Sequence, residues 1–192
     1  ATALEAVYLY PGLRLQTTSG QPIWTLSIGL TQVAEWQPAL RGATRAIARF
    51  HHAINTPVCL SGIAVFAWSR RRELGPEAVG FTLAGSFAIL YGLTSSWAFQ
   101  YLAWSLPLWA FAGWRLGLAA GVVSSAYVYF LYAWLCGDWL LLGHWDFIAK
   151  PDWPIAIRVL RDAAWLFFLV TAVSLLVASV RRERAHWRAP TA

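Results

Sequence analysis

From Ile54 onward the chain is built of long apolar blocks separated by short polar ones. Five of these blocks predict membrane-spanning helices: about Ile54–Trp68, Ala78–Trp97, Gln100–Gly113, Leu116–Leu135 and Ala163–Val180. Roughly 20 apolar residues cross a standard hydrocarbon core, so several of these spans are short. The third is the shortest and carries Pro107, which predicts a kink that neighbouring helices can accommodate. The expected fold is therefore all-α, a polytopic transmembrane helical bundle of about five spans. It occupies residues 54–180, with an outer loop over 136–162 and a basic cytoplasmic tail over 181–192.

Residues 1–53 read as an extracytoplasmic or interfacial segment. The run Thr18–Pro22 is a turn signal, and the apolar run Ile23–Val33 is too short to cross. Pro38 suits a first helical turn. Beyond it Leu40, Ala43, Ile47, Phe50 and Ile54 recur at three- and four-residue steps, while Arg41, Arg45 and Arg49 share the opposite face with His52 beside them. That pattern predicts an amphipathic helix over about 38–53, lying on the membrane surface. The chain opens inside a run of helical character and contains no methionine. It is expected to be the C-terminal part of a longer protein.

Charge orients the bundle. Arg70, Arg71 and Arg72, then Arg115, then the tail Arg181–Arg188 fall at alternate turns, which the positive-inside rule assigns to the cytoplasm. Gln100 and Tyr101 then lie at the extracytoplasmic end of the third span, as does the loop 136–162. Trp68, Trp114 and Trp187 mark inner borders, and Trp97, Trp134, Trp139, Trp145, Trp153 and Trp165 outer ones, as expected of an aromatic belt. Three arginines outside run against the charge bias. They either anchor the helix to anionic headgroups, at about 1 kcal/mol each, or grip a ligand phosphate through charge-assisted bonds.

Composition agrees with a membrane protein. Hydrophobic residues make up 58% of the chain and charged ones 12%, about half what a soluble surface needs. The net charge of +6 resides at the ends of apolar blocks, without a basic tract interleaved with aromatics, so nucleic acid is not an expected partner. Cys59 and Cys136 fit neither a disulfide framework nor a metal spacing, and neither a metal nor a cofactor is expected. Gly113, Gly117, Gly121 and Ser125 form a small-residue stripe suited to close helix packing.

The run SSWAFQYLAWSLPLW, Ser95–Trp109, resembles the Gln-Tyr, Trp and Leu-Pro-Leu segment of polytopic GT-C glycosyltransferases. The nearest branches are the mannosyltransferase of GPI-anchor synthesis and bacterial polyprenyl-phosphate-sugar-dependent enzymes. The likeness covers Ala78 onward and departs at Phe99, where those relatives carry a small residue or proline. It implies transfer of a sugar, mannose by the closest likeness, from a polyprenyl-phosphate donor to a glycan or glycolipid acceptor at the extracytoplasmic face. Gln100, Tyr101 and Trp104, with Arg41, Arg45, Arg49 and His52, are the candidate contacts to that donor. The resemblance puts the catalytic carboxylate upstream of this chain, and no catalytic residue is assigned here. The setting expected is a bacterial inner membrane, and a partner subunit is left open. The competing class is a transporter or scaffold subunit without catalysis.

Overall fold

The computed structural model describes residues 37–94, 101–143 and 154–188. After a 3-10 turn at Pro38–Leu40 come α1, Arg41–Ser69, and α2, Pro76–Leu93. The short α3, Tyr101–Ser105, runs straight into a 3-10 segment, Leu106–Ala112. Two long helices complete the described chain: α4, Trp114–Cys136, and α5, Ile155–Arg188. Among the described residues there is no strand, so the all-α expectation holds.

Among the described residues, three helices are long and apolar enough to cross a membrane: α2, α4 and α5. The apolar part of α1, Ala53–Ser69, is shorter. Large apolar side chains stand exposed along these helices, among them Leu118 and Val122 on α4 and Val170, Val173 and Val177 on α5. Water would penalise such an exterior, whereas lipid would not. The chain is accordingly a membrane protein.

Contacts set α2 antiparallel to both α1 and α5. Gly62 of α1 lies against Ile89 and Leu93 of α2, and Phe66 against Phe81, with ring centroids 6.1 Å apart. On α5, the backbone at Phe168 and Leu169 meets Gly92 of α2, while Arg182 reaches Glu73 just before α2 begins. A Cβ added at Gly92 would stand 2.8 Å from the Leu169 Cα, so only glycine permits this approach. Residues 101–112 run back along α2: the Tyr91 hydroxyl donates to the Tyr101 carbonyl at 2.6 Å, and the Phe111 ring fills the space over Gly80. Gly113, at φ +82°, then turns the chain into α4 in a conformation side chains resist. Tyr91, Leu102, Trp109, Tyr127, Leu131 and Phe168 form the centre of the core.

The bundle thus has two ends. One holds His51, Leu93 and Tyr101; the other holds Arg70–Arg72 and Arg181–Arg184.

Three details differ from the sequence-based expectation. The amphipathic segment and the apolar segment form one 29-residue helix, with no turn at residue 53. Pro57 deprives the Ala53 carbonyl of a backbone donor at that junction without ending the helix. Second, Ile155–Asp162, expected in the outer loop, is already α5, because Ile157, Arg161, Ala164 and Phe168 continue one buried face. Third, the small-residue stripe on α4 packs at Gly117, against the Trp109 carbonyl, but meets nothing within 4 Å at Gly121.

Candidate functional site

The end bearing Tyr101 is built on the last turn of α2. A helix C-terminus leaves its final carbonyls without intrahelical donors, and here side chains from two other helices supply them. The His51 ring donates from Nε2 to the Leu93 carbonyl at 2.9 Å, and the Trp165 indole donates to the Gly92 carbonyl at 3.2 Å. Because a carbonyl only accepts, Nε2 carries a proton. The other ring nitrogen, Nδ1, is buried and has no hydrogen-bond partner in the structure.

His51 fixes the height of the arginine row. At about 1.5 Å per residue, Arg49 lies about 3 Å and Arg41 about 15 Å beyond the His51 level, away from the arginine-rich end. All three arginine side chains are exposed, as are Leu40, Ile47 and Phe50 on the opposite face. The basic and apolar faces therefore both project beyond the end of α2. Thr44 is the buried residue of this stretch, and its hydroxyl donates to the Leu40 carbonyl at 3.0 Å.

Tyr101 and Trp104 open α3 at the same end. Their rings meet edge to face, with centroids 4.4 Å apart. Tyr101 is partly buried and backed by Tyr91, whereas Trp104 is 66% exposed. Gln100 and the side chain of His52 lie outside the described residues. Of the seven predicted contact residues, the structure brings Arg41, Arg45, Arg49, Tyr101 and Trp104 to one end of the bundle. His51, next to His52 in sequence, instead serves the fold through the Leu93 carbonyl. With Asn55, Cys59, Gly62 and Phe66 it continues the face of α1 that packs on the bundle.

A buried cation went unrecognised in the sequence. Arg161 is 2% exposed on α5, one turn before Trp165, which puts it about 6 Å farther along the axis in the direction of this end. Its Nε donates to Asp162 Oδ1 at 2.9 Å, and Nη2 lies 2.9 Å from the same oxygen but makes no hydrogen bond. Across on α4, Tyr127 is fully buried within electrostatic reach of both charges. Ser124, one turn below, is also buried, and its hydroxyl has no partner. A charged group held inside a membrane bundle is costly, and by default it points to function.

Asp138 is occupied locally. Its carboxylate accepts the backbone N–H groups of Leu140 and Leu142 at 3.1 and 3.0 Å, closing the turn after α4. Among the described residues, no three His, Cys, Asp or Glu side chains converge. What the end presents is the exposed guanidinium groups of α1, the buried Arg161 of α5 and the Tyr101–Trp104 pair of α3. Comparison of the chain with protein families, with curated proteins and with solved structures finds no match.

Proposed function

We propose that the chain belongs to an integral-membrane glycosyltransferase of the GT-C type, and that it holds the polyprenyl-phosphate of the sugar donor. The observation that supports this most is the gathering of Arg41, Arg45 and Arg49, the Tyr101–Trp104 pair and buried Arg161 at one end of a membrane helical bundle. A lipid-linked sugar needs cations at headgroup depth, an apolar surface for its isoprenoid and an aromatic face for the sugar. This end carries all three kinds of group.

In this reading five segments cross: Ala53–Ser69 of α1, then α2, residues 101–112, α4, and Ala163–Val180 of α5. The third is about 21 Å long, short of a core of about 30 Å, and depends on burial among its neighbours and on local thinning. The arginine-rich end faces the cytoplasm by the positive-inside rule, and the Tyr101 end faces the extracytoplasmic side of a bacterial inner membrane. The upper part of α1 continues past the end of α2 as the same helix and carries Arg41, Arg45 and Arg49 out through the headgroup layer. During transfer the acceptor oxygen bonds to the sugar's anomeric carbon, the bond to phosphate breaks, and a carboxylate elsewhere in the full protein takes the proton. Guanidinium groups stabilise the departing phosphate.

A transporter subunit is the second reading, favoured by the interrupted third segment, since broken helices build many transport sites. Full-length protein in vesicles separates the two. The enzyme reading expects transfer of labelled sugar from a polyprenyl-phosphate donor, reduced about tenfold or more by Arg45→Ala or Trp104→Ala at unchanged protein level. Absence of transfer together with flux of a solute across sealed vesicles would replace it with the second.

A further inference from the structure

The arginine-rich end holds a cavity in which the proposed donor contacts have no part. Helices α1, α2 and α5 enclose about 240 Å³ there, lined by Phe66, Ser69, Arg70, Phe81, Ser179 and Arg182, among others. The floor is apolar and aromatic, and the rim carries two guanidinium and two hydroxyl groups.

Arg70 is held as a fixed cation. Its Nε donates to the Thr82 hydroxyl at 3.1 Å, and its guanidinium carbon lies 4.4 Å from the centroid of the Phe81 ring. The Glu73 carboxylate pairs with Arg70 and also with Arg182. One carboxylate therefore serves two arginines, and the rim keeps an excess positive charge. Burial holds the Arg70 guanidinium below its ordinary pKa, and repulsion from Arg182 acts in the same direction against the pull of Glu73. The Ser69 and Ser179 hydroxyls donate to the carbonyls of Phe66 and Leu175 in their own helices, at 2.7 and 2.8 Å. Such back-bonds are weak and can be exchanged for a better acceptor.

We infer that this cavity binds the phosphate of an anionic membrane lipid, a phosphodiester or phosphomonoester seated between Arg70 and Arg182. An anion there completes the pairing that Glu73 alone leaves unfinished. The depth matches, because the cavity opens where the apolar helices end, and basic pockets between membrane helices at the cytoplasmic side are suited to phosphate headgroups. The volume falls below the roughly 300–1,000 Å³ of sites for larger ligands, which fits a headgroup better than a nucleotide. This site lies at the opposite end of the bundle from the proposed donor contacts and does not depend on them.

The test uses the full chain in nanodiscs of phosphatidylcholine, with or without phosphatidylglycerol, and measures retained lipid and thermal midpoint. Wild-type protein should retain phosphatidylglycerol through detergent exchange and gain stability from it. Arg182→Gln should cut retention about tenfold. Ser179→Leu, which fills the cavity at unchanged charge, should also abolish it. Arg184→Gln removes the same charge outside the cavity and should retain the lipid. Stabilisation of phosphatidylcholine discs by inorganic phosphate to the same extent would assign the phosphate site to a free anion. Equal losses for Arg182→Gln and Arg184→Gln, or full retention by Ser179→Leu, would overturn the proposal.

Discussion

The imidazole of His51 on α1 and the carbonyl of Leu93 at the end of α2 are joined by a 2.9 Å hydrogen bond across 42 residues of sequence. The bond sets how far α1 protrudes past α2, and so the height at which Arg41, Arg45 and Arg49 stand. His51→Ala would strip the Leu93 carbonyl of this donor, at a cost of about 1–3 kcal/mol in a partly buried place. His51→Gln, whose amide N–H₂ can reach the same oxygen, should recover much of that loss. Thermal unfolding in detergent checks both, and unchanged midpoints for His51→Ala would dismiss the clamp.

Gly92 and Gly121 offer a matched contrast. At Gly92 the α5 backbone leaves no room for a Cβ, whereas nothing lies within 4 Å of one at Gly121. Gly92→Val should therefore destabilise the bundle by about 1–3 kcal/mol or disrupt its assembly, and Gly121→Ala should leave the unfolding midpoint unchanged or slightly raised. Similar effects at both positions would mean that the α2–α5 approach is looser than its geometry.

The same contrast shows what the sequence could reveal. Small residues every four positions on α4 looked like one packing stripe, but only contacts distinguish Gly117, pressed on the Trp109 carbonyl, from Gly121. Hydropathy and arginine placement located α2, α4 and the apolar part of α5 because burial in lipid is a property of whole segments. Arg161 escaped notice for the same reason. Arg158, Arg161 and Asp162 lower the local hydropathy, and Pro151 and Pro154 signal a loop, yet the buried face of α5 begins at Ile157. An interruption of the third segment near Pro107 was legible, but not its division at Ser105 into α-helix and 3-10 helix. Pro107, at the start of the 3-10 segment, favours the change by removing a donor.

At the arginine-rich end, Glu183 accepts a hydrogen bond from Arg71 at 2.6 Å, linking α5 to the turn after α1. That bond, with Coulombic help from Arg71, His186 and Arg72, holds the Glu183 carboxyl below its ordinary pKa against a smaller desolvation effect. A depressed carboxyl contributes stability above its unfolded pKa and loses it as pH falls through the folded value. Unfolding midpoints should therefore fall on acidification below the ordinary glutamate range, and Glu183→Gln should flatten that part of the profile. The effect is small because the pair is solvent-exposed. Superimposable acid limbs for the two proteins would remove Glu183 from the account.

Arg161 separates a structural role from a functional one. Its guanidinium is buried while Asp162 keeps 39% of its side-chain surface in solvent, so the two partners lose differently on substitution. Asp162→Asn strands a buried cation and should cost about 1–3 kcal/mol, less than the roughly 3–5 kcal/mol of a fully enclosed pair. Arg161→Met removes the buried charge at similar length and leaves Asp162 hydrated, so stability should hold or improve. If Arg161 serves only the fold, Arg161→Met should keep the activity of the full-length protein. If it faces the donor phosphate, turnover with a polyprenyl-phosphate sugar should fall about tenfold or more at unchanged stability, with partial return in Arg161→Lys. We expect the second outcome, because Nη2 already lacks a hydrogen bond inside the bundle and an arriving phosphate would supply the acceptor. A fully active Arg161→Met protein would take Arg161 out of the site, leaving the exposed arginine row of α1 as its source of positive charge.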